Sequence, residues 1–292
     1  MSSCTLITDA LVKDMAPVRD DSAHKNDFGH VLVCAGSEFM TGALVLACSS
    51  ALRSGTGLVT AFAPASALAP LQINCPCALT SAWEEEVTAT LRKADALMKK
   101  TTAVAVGPGL NESDPRSKAL VEEFLLNAKA LVLDAGALNI IAHYREELMP
   151  VLASRKERGL MPAVLTPHVG EMRRLLKGDV TSEVCAKFAV DNTCLLVLKD
   201  NKTLIYTPHD TCYSIQGDNS GMAKGGSGDV LTGLIAGFLA QGIKPCNAGV
   251  AGVYFHSAAG AKAACELGKR YMLPTDVIDR LAKIFEETEW QG

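Results

Sequence analysis

The stretch 225–242, GGSGDVLTGLIAGFLAQG, decides how this chain folds. From Val230 the apolar residues Val230, Leu231, Leu234, Ile235, Phe238 and Leu239 recur at the spacing of a helical stripe, and Gly242 supplies a left-handed terminus. A buried helix is expected to start near Gly228. Ahead of it, Gly225-Gly226-Ser227-Gly228 lets the backbone turn its N–H groups inward with no Cβ in the way of a ligand. Amides of a first helical turn lack intrahelical acceptors and carry the positive end of the dipole, so this turn reads as an anion site. Asp229 is either an ordinary dipole-complementing residue or a catalytic carboxylate aimed at what the amides hold. A bound phosphate repels a carboxylate, so the catalytic reading needs a reacting hydroxyl or a metal between them.

Working outward, short and almost wholly apolar runs recur at Val31–Ala35, Leu58–Ala63, Ala103–Val106, Ala130–Leu133, Ala163–Thr166 and Leu195–Leu198. Such runs suit parallel strands buried on both faces, and the segments between them carry helical patterns, Thr41–Ser54 among them. Thr203–Thr207 follows Leu195–Leu198 across Lys199-Asp200-Asn201-Lys202, which reads as a tight hairpin. Long helical patterns close the chain at Asn247–Leu267, where His256 reads as packing, and at Pro274–Trp290. In an open α/β sheet ligands gather beyond the carboxyl ends of the strands. The turns Val106-Gly107-Pro108-Gly109-Leu110, Leu133-Asp134 and Thr166-Pro167-His168-Val169-Gly170-Glu171 should therefore border one site. Read alone, Asp134 is a helix cap, His168 and Glu171 are capping groups that also share one helical face, and Lys25 is a solvated lysine within reach of a phosphate.

Composition narrows the class. Hydrophobic residues make up 48% of the chain and aromatic ones 5%, which calls for an aliphatic core of the kind a helix-covered sheet has. The formal charge is 28 − 32 = −4 with no basic run, so a small-molecule partner is expected and a nucleic acid is not. Ten scattered cysteines without a CxxC pair read as buried reduced thiols and offer no zinc site. The first residues lack a basic start followed by a long apolar core, and no run reaches membrane-spanning length, so a cytoplasmic protein is expected. Residues 1–24 read as a lead-in arm and 25–292 as a single domain.

Taken together, KNDFGHVLVCAGS (25–37), TGA (41–43), VGPGL (106–110), LDAGALN (133–139), TPHVGEM (166–172), VLKDNKT (197–203) and NSGMAKGGSGDVLTG (219–233) resemble the ADP- or ATP-dependent NAD(P)H-hydrate dehydratases, a carbohydrate-kinase-like family. The resemblance implies a ribokinase-like three-layer α/β sandwich whose nucleotide and substrate meet at the C-terminal strand ends. It implies repair of nicotinamide cofactors: the hydrate of NADH or NADPH is returned to the working cofactor while a nucleotide is hydrolysed. A tetramer and a Mg²⁺ requirement are implied with it. Many relatives carry a separate epimerase domain ahead of this one, and the short lead-in suggests the stand-alone dehydratase.

Position by position, the resemblance puts Ala43, Gly109, His168 and Asp229 against the hydrated dinucleotide. Lys199, Asp200, Asn201, Lys202, Thr203 and Gly228 would contact the adenine nucleotide, with the amides around Gly226, Ser227 and Gly228 cradling developing charge. Glu171 would organise Mg²⁺ through water. One departure stands out: the family often has Gly after this Lys, and here Asp200 follows Lys199, which bears on the phosphate contact. Asp229 would take the proton of the hydrate hydroxyl as it attacks the terminal phosphoryl group, and loss of phosphate would restore the ring double bond. Two rivals are a small-molecule kinase of the same superfamily and a nucleotide- or cofactor-binding protein without turnover.

Overall fold

Val31 and Val33 pack on one side of the sheet and Leu32 and Cys34 on the other, all four with no exposed surface. The same alternation divides Ala103 and Ala105 from Val104 and Val106, and Leu195 and Val197 from Leu196 and Leu198. A strand that is apolar at every position has no polar face to offer water, so it must be covered on both sides. The computed structural model describes residues 4–217 and 219–290. Its strands are β1 (Thr5–Leu6), β2 (His30–Cys34), β3 (Leu58–Ala63), β4 (Leu79–Ala82), β5 (Ala103–Val106), β6 (Leu131–Leu133), β7 (Val164–Leu165), β8 (Leu195–Leu198), β9 (Lys202–Tyr206) and β10 (Cys212–Gln216). Its helices are α1 (Asp9–Lys13), α2 (Thr41–Arg53), α3 (Ala65–Asn74), α4 (Val87–Met98), α5 (Pro115–Asn127), α6 (Ala135–His143), α7 (Arg145–Ala153), α8 (Val169–Leu176), α9 (Ser182–Asp191), α10 (Ser227–Ala240), α11 (Pro245–Leu267) and α12 (Pro274–Glu287).

All ten strands form one sheet in the order β1-β10-β9-β8-β7-β6-β5-β2-β3-β4. Every pairing is parallel except the two made by β9, which runs against β8 and β10. The face lined by Val31 and Val33 is covered by α1, α2, α3, α10, α11 and α12, and the opposite face by α4 to α9. This is the expected three-layer sandwich. The strands β3, β5 and β8 begin and end where the apolar runs do, and the expected hairpin joins β8 to β9.

Helix α10 is the centre of the first layer. Val230, Leu234, Ile235 and Phe238 are fully buried, each contributing about 1.5–3 kcal/mol relative to exposure. It lies so close to α2 that a Cβ on Gly233 would collide with the Ala47 carbonyl and the Ser50 hydroxyl, and one on Gly237 with Ser54. The helix stops at the residue expected: Gly242 has φ +87°, its N–H donates to Leu239 O at 3.0 Å, and Ile243 N–H donates to Phe238 O at 3.3 Å.

The N-terminal segment is tied down. Arg19 donates to Gly55 O at 2.9 Å while its guanidinium lies 3.7 Å from the Phe28 ring centroid. Farther upstream, Thr5 and Leu6 pair with Tyr213 and Ser214 as an edge strand, and that register sets Cys4 beside Cys212. The two form a disulfide, with Cα atoms 4.5 Å apart. The reduced-thiol expectation therefore fails for this pair, because 208 residues of sequence separate partners that only the sheet brings together. Cys77 and Cys265 depart from it differently, being exposed. Among the described residues no helix is long and apolar enough to cross a membrane.

Two outcomes are expected. Gly233→Ala, forced against backbone, costs about 1–3 kcal/mol, whereas Gly42→Ala, which meets no atom within 4 Å in α2, is neutral or gains up to about 1 kcal/mol; urea midpoints report both. Alkylation of the denatured, unreduced protein labels eight of the ten cysteines, read by intact mass.

Candidate active site

The parallel strands β2, β5, β6, β7 and β8 all end at one edge of the sheet, and the N-terminus of α10 faces that edge. Gly226 holds the turn open in a conformation that favours glycine, φ +101°, and a Cβ there would strike Leu46. Lys224, just upstream, is spent on structure: its ammonium donates to Arg270 O at 2.9 Å and Met272 O at 2.6 Å. Ser227 N–H already donates to Lys224 O at 3.2 Å, which leaves Gly228 and Asp229 as the first-turn amides for an anion.

Around that turn stand three carboxylates and one ammonium. Asp229 is half-buried, and its pKa is pushed up to about 7, first by burial and then by the negative charges of Asp134 and Glu171, against the opposing pull of Lys199. Lys199 Nζ lies 2.7 Å from Asp134 Oδ1, and Thr232 Oγ1 donates to Asp134 Oδ2 at 2.7 Å. Asp134 is 1% exposed. It occupies the N-cap place of α6 yet makes no side-chain cap bond, so the capping role read from sequence is not the one it has. The next residue, Ala135, is held at φ +45°, a conformation that costs a non-glycine residue about 1–3 kcal/mol.

His168 and Glu171, by contrast, do cap. His168 Nδ1 accepts from Gly170 N–H at 2.9 Å and Glu171 N–H at 3.3 Å, while Glu171 Oε2 accepts from His168 N–H at 2.9 Å. Acceptance at Nδ1 leaves Nε2 as the protonated nitrogen of the neutral ring, 3.4 Å from Glu171 Oε1 and on an exposed side chain. Glu171 itself is buried.

On the other flank, a Cβ on Gly109 would lie 2.9 Å from Ala43 Cβ and 2.8 Å from Met40 O, so the β5 turn and the start of α2 are pressed together. Beside them is a cavity of about 220 Å³ lined by Gly36, Ser37, Ser66, Trp83, Asn111 and Arg116. The sequence-derived set is thus brought to one edge: Ala43 and Gly109 at one end, Gly226 to Asp229 in the middle, His168, Glu171 and Lys199 at the other. Asp200, Asn201 and Lys202 are exposed in the adjoining hairpin, where Asp200 Oδ1 accepts from Asn201 N–H at 2.8 Å. Asp200 leaves Lys199 to its pairing with Asp134. Lys25 is elsewhere, its carbonyl packed against Gly57 at the opposite ends of the strands.

Two residues at this edge carry no clear sequence signal. Thr232 is the one hydroxyl in the apolar stripe of α10, three residues beyond Asp229. His256, expected to be packing, sits by the start of α10: burial pulls its pKa down to about 4, with the charge of Lys199 adding and a backbone hydrogen bond at Ser227 opposing. Its Nε2 is buried with no partner among the described residues.

Comparison with known proteins follows the same lines. A carbohydrate-kinase family model described as NAD(P)H-hydrate dehydratase matches residues 31–283. The chain is 38% identical, over 97% of its length, to a bifunctional NAD(P)H-hydrate repair enzyme of Moorella thermoacetica, of which it covers 54%; it spans about half the length of several such curated relatives. It is 31% identical to the ADP-dependent (S)-NAD(P)H-hydrate dehydratase of Bacillus subtilis, covering 97% of this chain and 98% of that one. The crystal structure of a Bacillus subtilis ADP/ATP-dependent NAD(P)H-hydrate dehydratase, co-crystallised with ATP/Mg²⁺, superposes with TM-score 0.80 at 27% identity, covering 99% of this chain and 100% of that one. A ribokinase-like superfamily protein of Enterococcus faecalis shares the fold, with TM-score 0.83 at 24% identity over 99% of this chain and 97% of that one.

The raised pKa of Asp229 fixes a testable sign. An unfolded Asp ionises near 4, so the folded chain favours the protonated carboxyl, and the stability this gives is lost as pH rises through about 7. Asp229→Asn is expected to raise the unfolding free energy at pH 8 by about 1–4 kcal/mol and to change it little at pH 4, measured by urea unfolding at the two pH values.

Proposed function

Because the chain belongs to the NAD(P)H-hydrate dehydratase family, we propose that it repairs the hydrates of NADH and NADPH, using ADP or ATP to drive out the hydroxyl. The observation that carries this reading is Asp229: a carboxylate in the first turn of α10, with its pKa near 7, beside one lysine and an amide-lined turn. A base needs a proton affinity near the working pH, and a buried, like-charged environment supplies it.

The mechanism assigns each group a task. The first-turn amides of Gly228 and Asp229 and the dipole of α10 receive the terminal phosphate, and Gly228 gives it room. Asp229 accepts the proton of the hydrate hydroxyl as that oxygen attacks phosphorus. The bond from that phosphorus to the nucleotide breaks and the nucleotide leaves one phosphate shorter; the ring nitrogen's lone pair then expels phosphate, a far better leaving group than hydroxide, and loss of a proton from the adjacent ring carbon restores the double bond. Ala43 and Gly109 offer the hydrated dinucleotide a close, flat approach at one end of the site, and the Nε2–H of His168 is a donor toward it at the other. Lys199 to Thr203 flank the nucleotide.

The charges present fit a divalent cation held at a distance. Glu171 Oε2 is occupied by its cap bond, so one oxygen remains, and among the described residues no cluster of three or more His, Cys, Asp or Glu forms a cage. Glu171 would hold Mg²⁺ through water, and the ion would neutralise charge on the nucleotide phosphates. The Bacillus subtilis relative's co-crystallisation with ATP/Mg²⁺ supports this assignment. A homotetramer and a cytoplasmic location go with this reading.

The test is spectrophotometric: hydrated NADH, Mg²⁺ and either nucleotide should yield reduced-nicotinamide absorbance without accumulation of a phosphorylated product. Asp229→Asn should bind nucleotide normally and lose roughly two to four decades in kcat. The acid limb of the parent's rate profile should have its midpoint near pH 7, since only ionised Asp229 can take the proton. Near-normal turnover in Asp229→Asn would remove this residue from the chemistry.

A further inference from the structure

Proton transfer by Asp229 leaves the buried carboxylate of Asp134 without a task. Its two oxygens are committed to Lys199 Nζ and Thr232 Oγ1, each at 2.7 Å, from the end of β8 and the second turn of α10. It declines the cap bond open to it at α6, and the backbone holds Ala135 in the left-handed region directly after it. If these three elements needed only to be fastened together, apolar side chains would serve as well or better, because a buried ion pair seldom repays its desolvation. The arrangement gains meaning from where it leaves the ammonium. A Cβ on Gly228 would lie 3.0 Å from Lys199 Nζ and 3.6 Å from Asp134 Oδ2, so the lysine head stands at the mouth of the anion turn.

We propose that Asp134 and Thr232 are positioning residues that hold the Lys199 ammonium against the Gly228 turn, where it meets the phosphoryl group in transfer and not the base or ribose of the nucleotide. The proposal rests on the nucleotide-dependent reading above and sharpens it. Thr232 is three residues beyond Asp229 on the same helix, so one helical face carries both the base and the anchor. A flexible lysine fixed before the nucleotide arrives stabilises charge on the equatorial oxygens with no reorganisation during the step. No bond to Lys199 forms or breaks.

The experiment compares the parent with Asp134→Asn, Thr232→Val, Thr232→Ser, Lys199→Met and the double variant Lys199→Met/Asp134→Asn, each checked for folding by thermal melts. Calorimetric titration with AMP and with a non-hydrolysable ATP analogue reads where the ammonium acts. Asp134→Asn should weaken the analogue roughly tenfold and leave AMP within about twofold. With hydrated NADH it should lower kcat by roughly one to three decades at unchanged hydrate KM, and the double variant should be no worse than Lys199→Met within about twofold. Thr232→Val should fall between, and Thr232→Ser, which keeps the hydroxyl, should match the parent. Equal weakening of AMP and analogue, multiplicative losses in the double variant, or full activity in a folded Asp134→Asn would overturn the proposal. If Asp134→Asn does not fold, the Thr232 pair decides on the same readouts. If the parent itself gives no reduced nicotinamide, the dehydratase reading falls, while the comparison of AMP with the analogue still decides where Lys199 acts.

Discussion

Helix α10 is buried along almost its whole length, from Val230 to Ala240, so the only part that can meet a ligand is its first turn. Everything at the candidate site follows from that restriction. A helix this apolar has no charged flank to offer, and its end is left with the dipole, the first-turn amides and Asp229. Close approach of α2, permitted by Gly233 and Gly237, keeps the barrel of the helix dry and leaves its end at the sheet edge. A bulkier residue at either glycine would push α10 off α2 and carry that end with it.

The same burial that stabilises α10 makes its first turn electrostatically costly. The raised pKa of Asp229 records first its burial and then the negative charges of Asp134 and Glu171, which Lys199 offsets only in part. A protein selected for stability alone would replace such a group. In the proposed reaction the destabilised carboxylate is what proton abstraction would require, and part of the folding free energy supplied by the aliphatic layers would be offset at this edge.

The strands were the most legible part of the sequence because they are apolar on both faces and bounded by glycine or polar turns; β3, β5 and β8 could be delimited to the residue. The strands toward the two margins of the sheet were not. β4 reads LTSA and β10 reads CYSIQ, each half polar, and Thr5–Leu6 is too short to carry a period; their pairing is set by neighbours, not by local pattern. The Cys4–Cys212 bridge escaped notice for the same reason, since it depends on the register of two such strands. At the site, motif residues were found by type and position, whereas the partnership of Asp134 with Lys199 and Thr232 was invisible. A residue at a strand end followed by a helix reads as a cap, and only coordinates reveal that its oxygens point the other way. Thr232 left a faint trace as a lone hydroxyl in an apolar stripe, and His256 left none that distinguishes it from packing.

The reversal of β9 has a topological consequence for the site. Had β8 been followed by a parallel crossover, the chain would have left the ligand edge for a helix on one face, and residues 199–203 would have been the start of a descent. An antiparallel hairpin instead turns the chain at that edge, so Lys199 and Thr203 stay together beside the strand ends. The chain then runs away along β9 and back along β10, whose last residue, Gln216, pairs with Lys202 at the same edge. That return brings residues 219–229 to the turn before α10 without a further crossover. Two segments distant from β6 in sequence, one bearing Lys199 and one bearing Thr232, thus arrive on either side of Asp134. The single antiparallel excursion in an otherwise parallel sheet is what lets one buried carboxylate hold both.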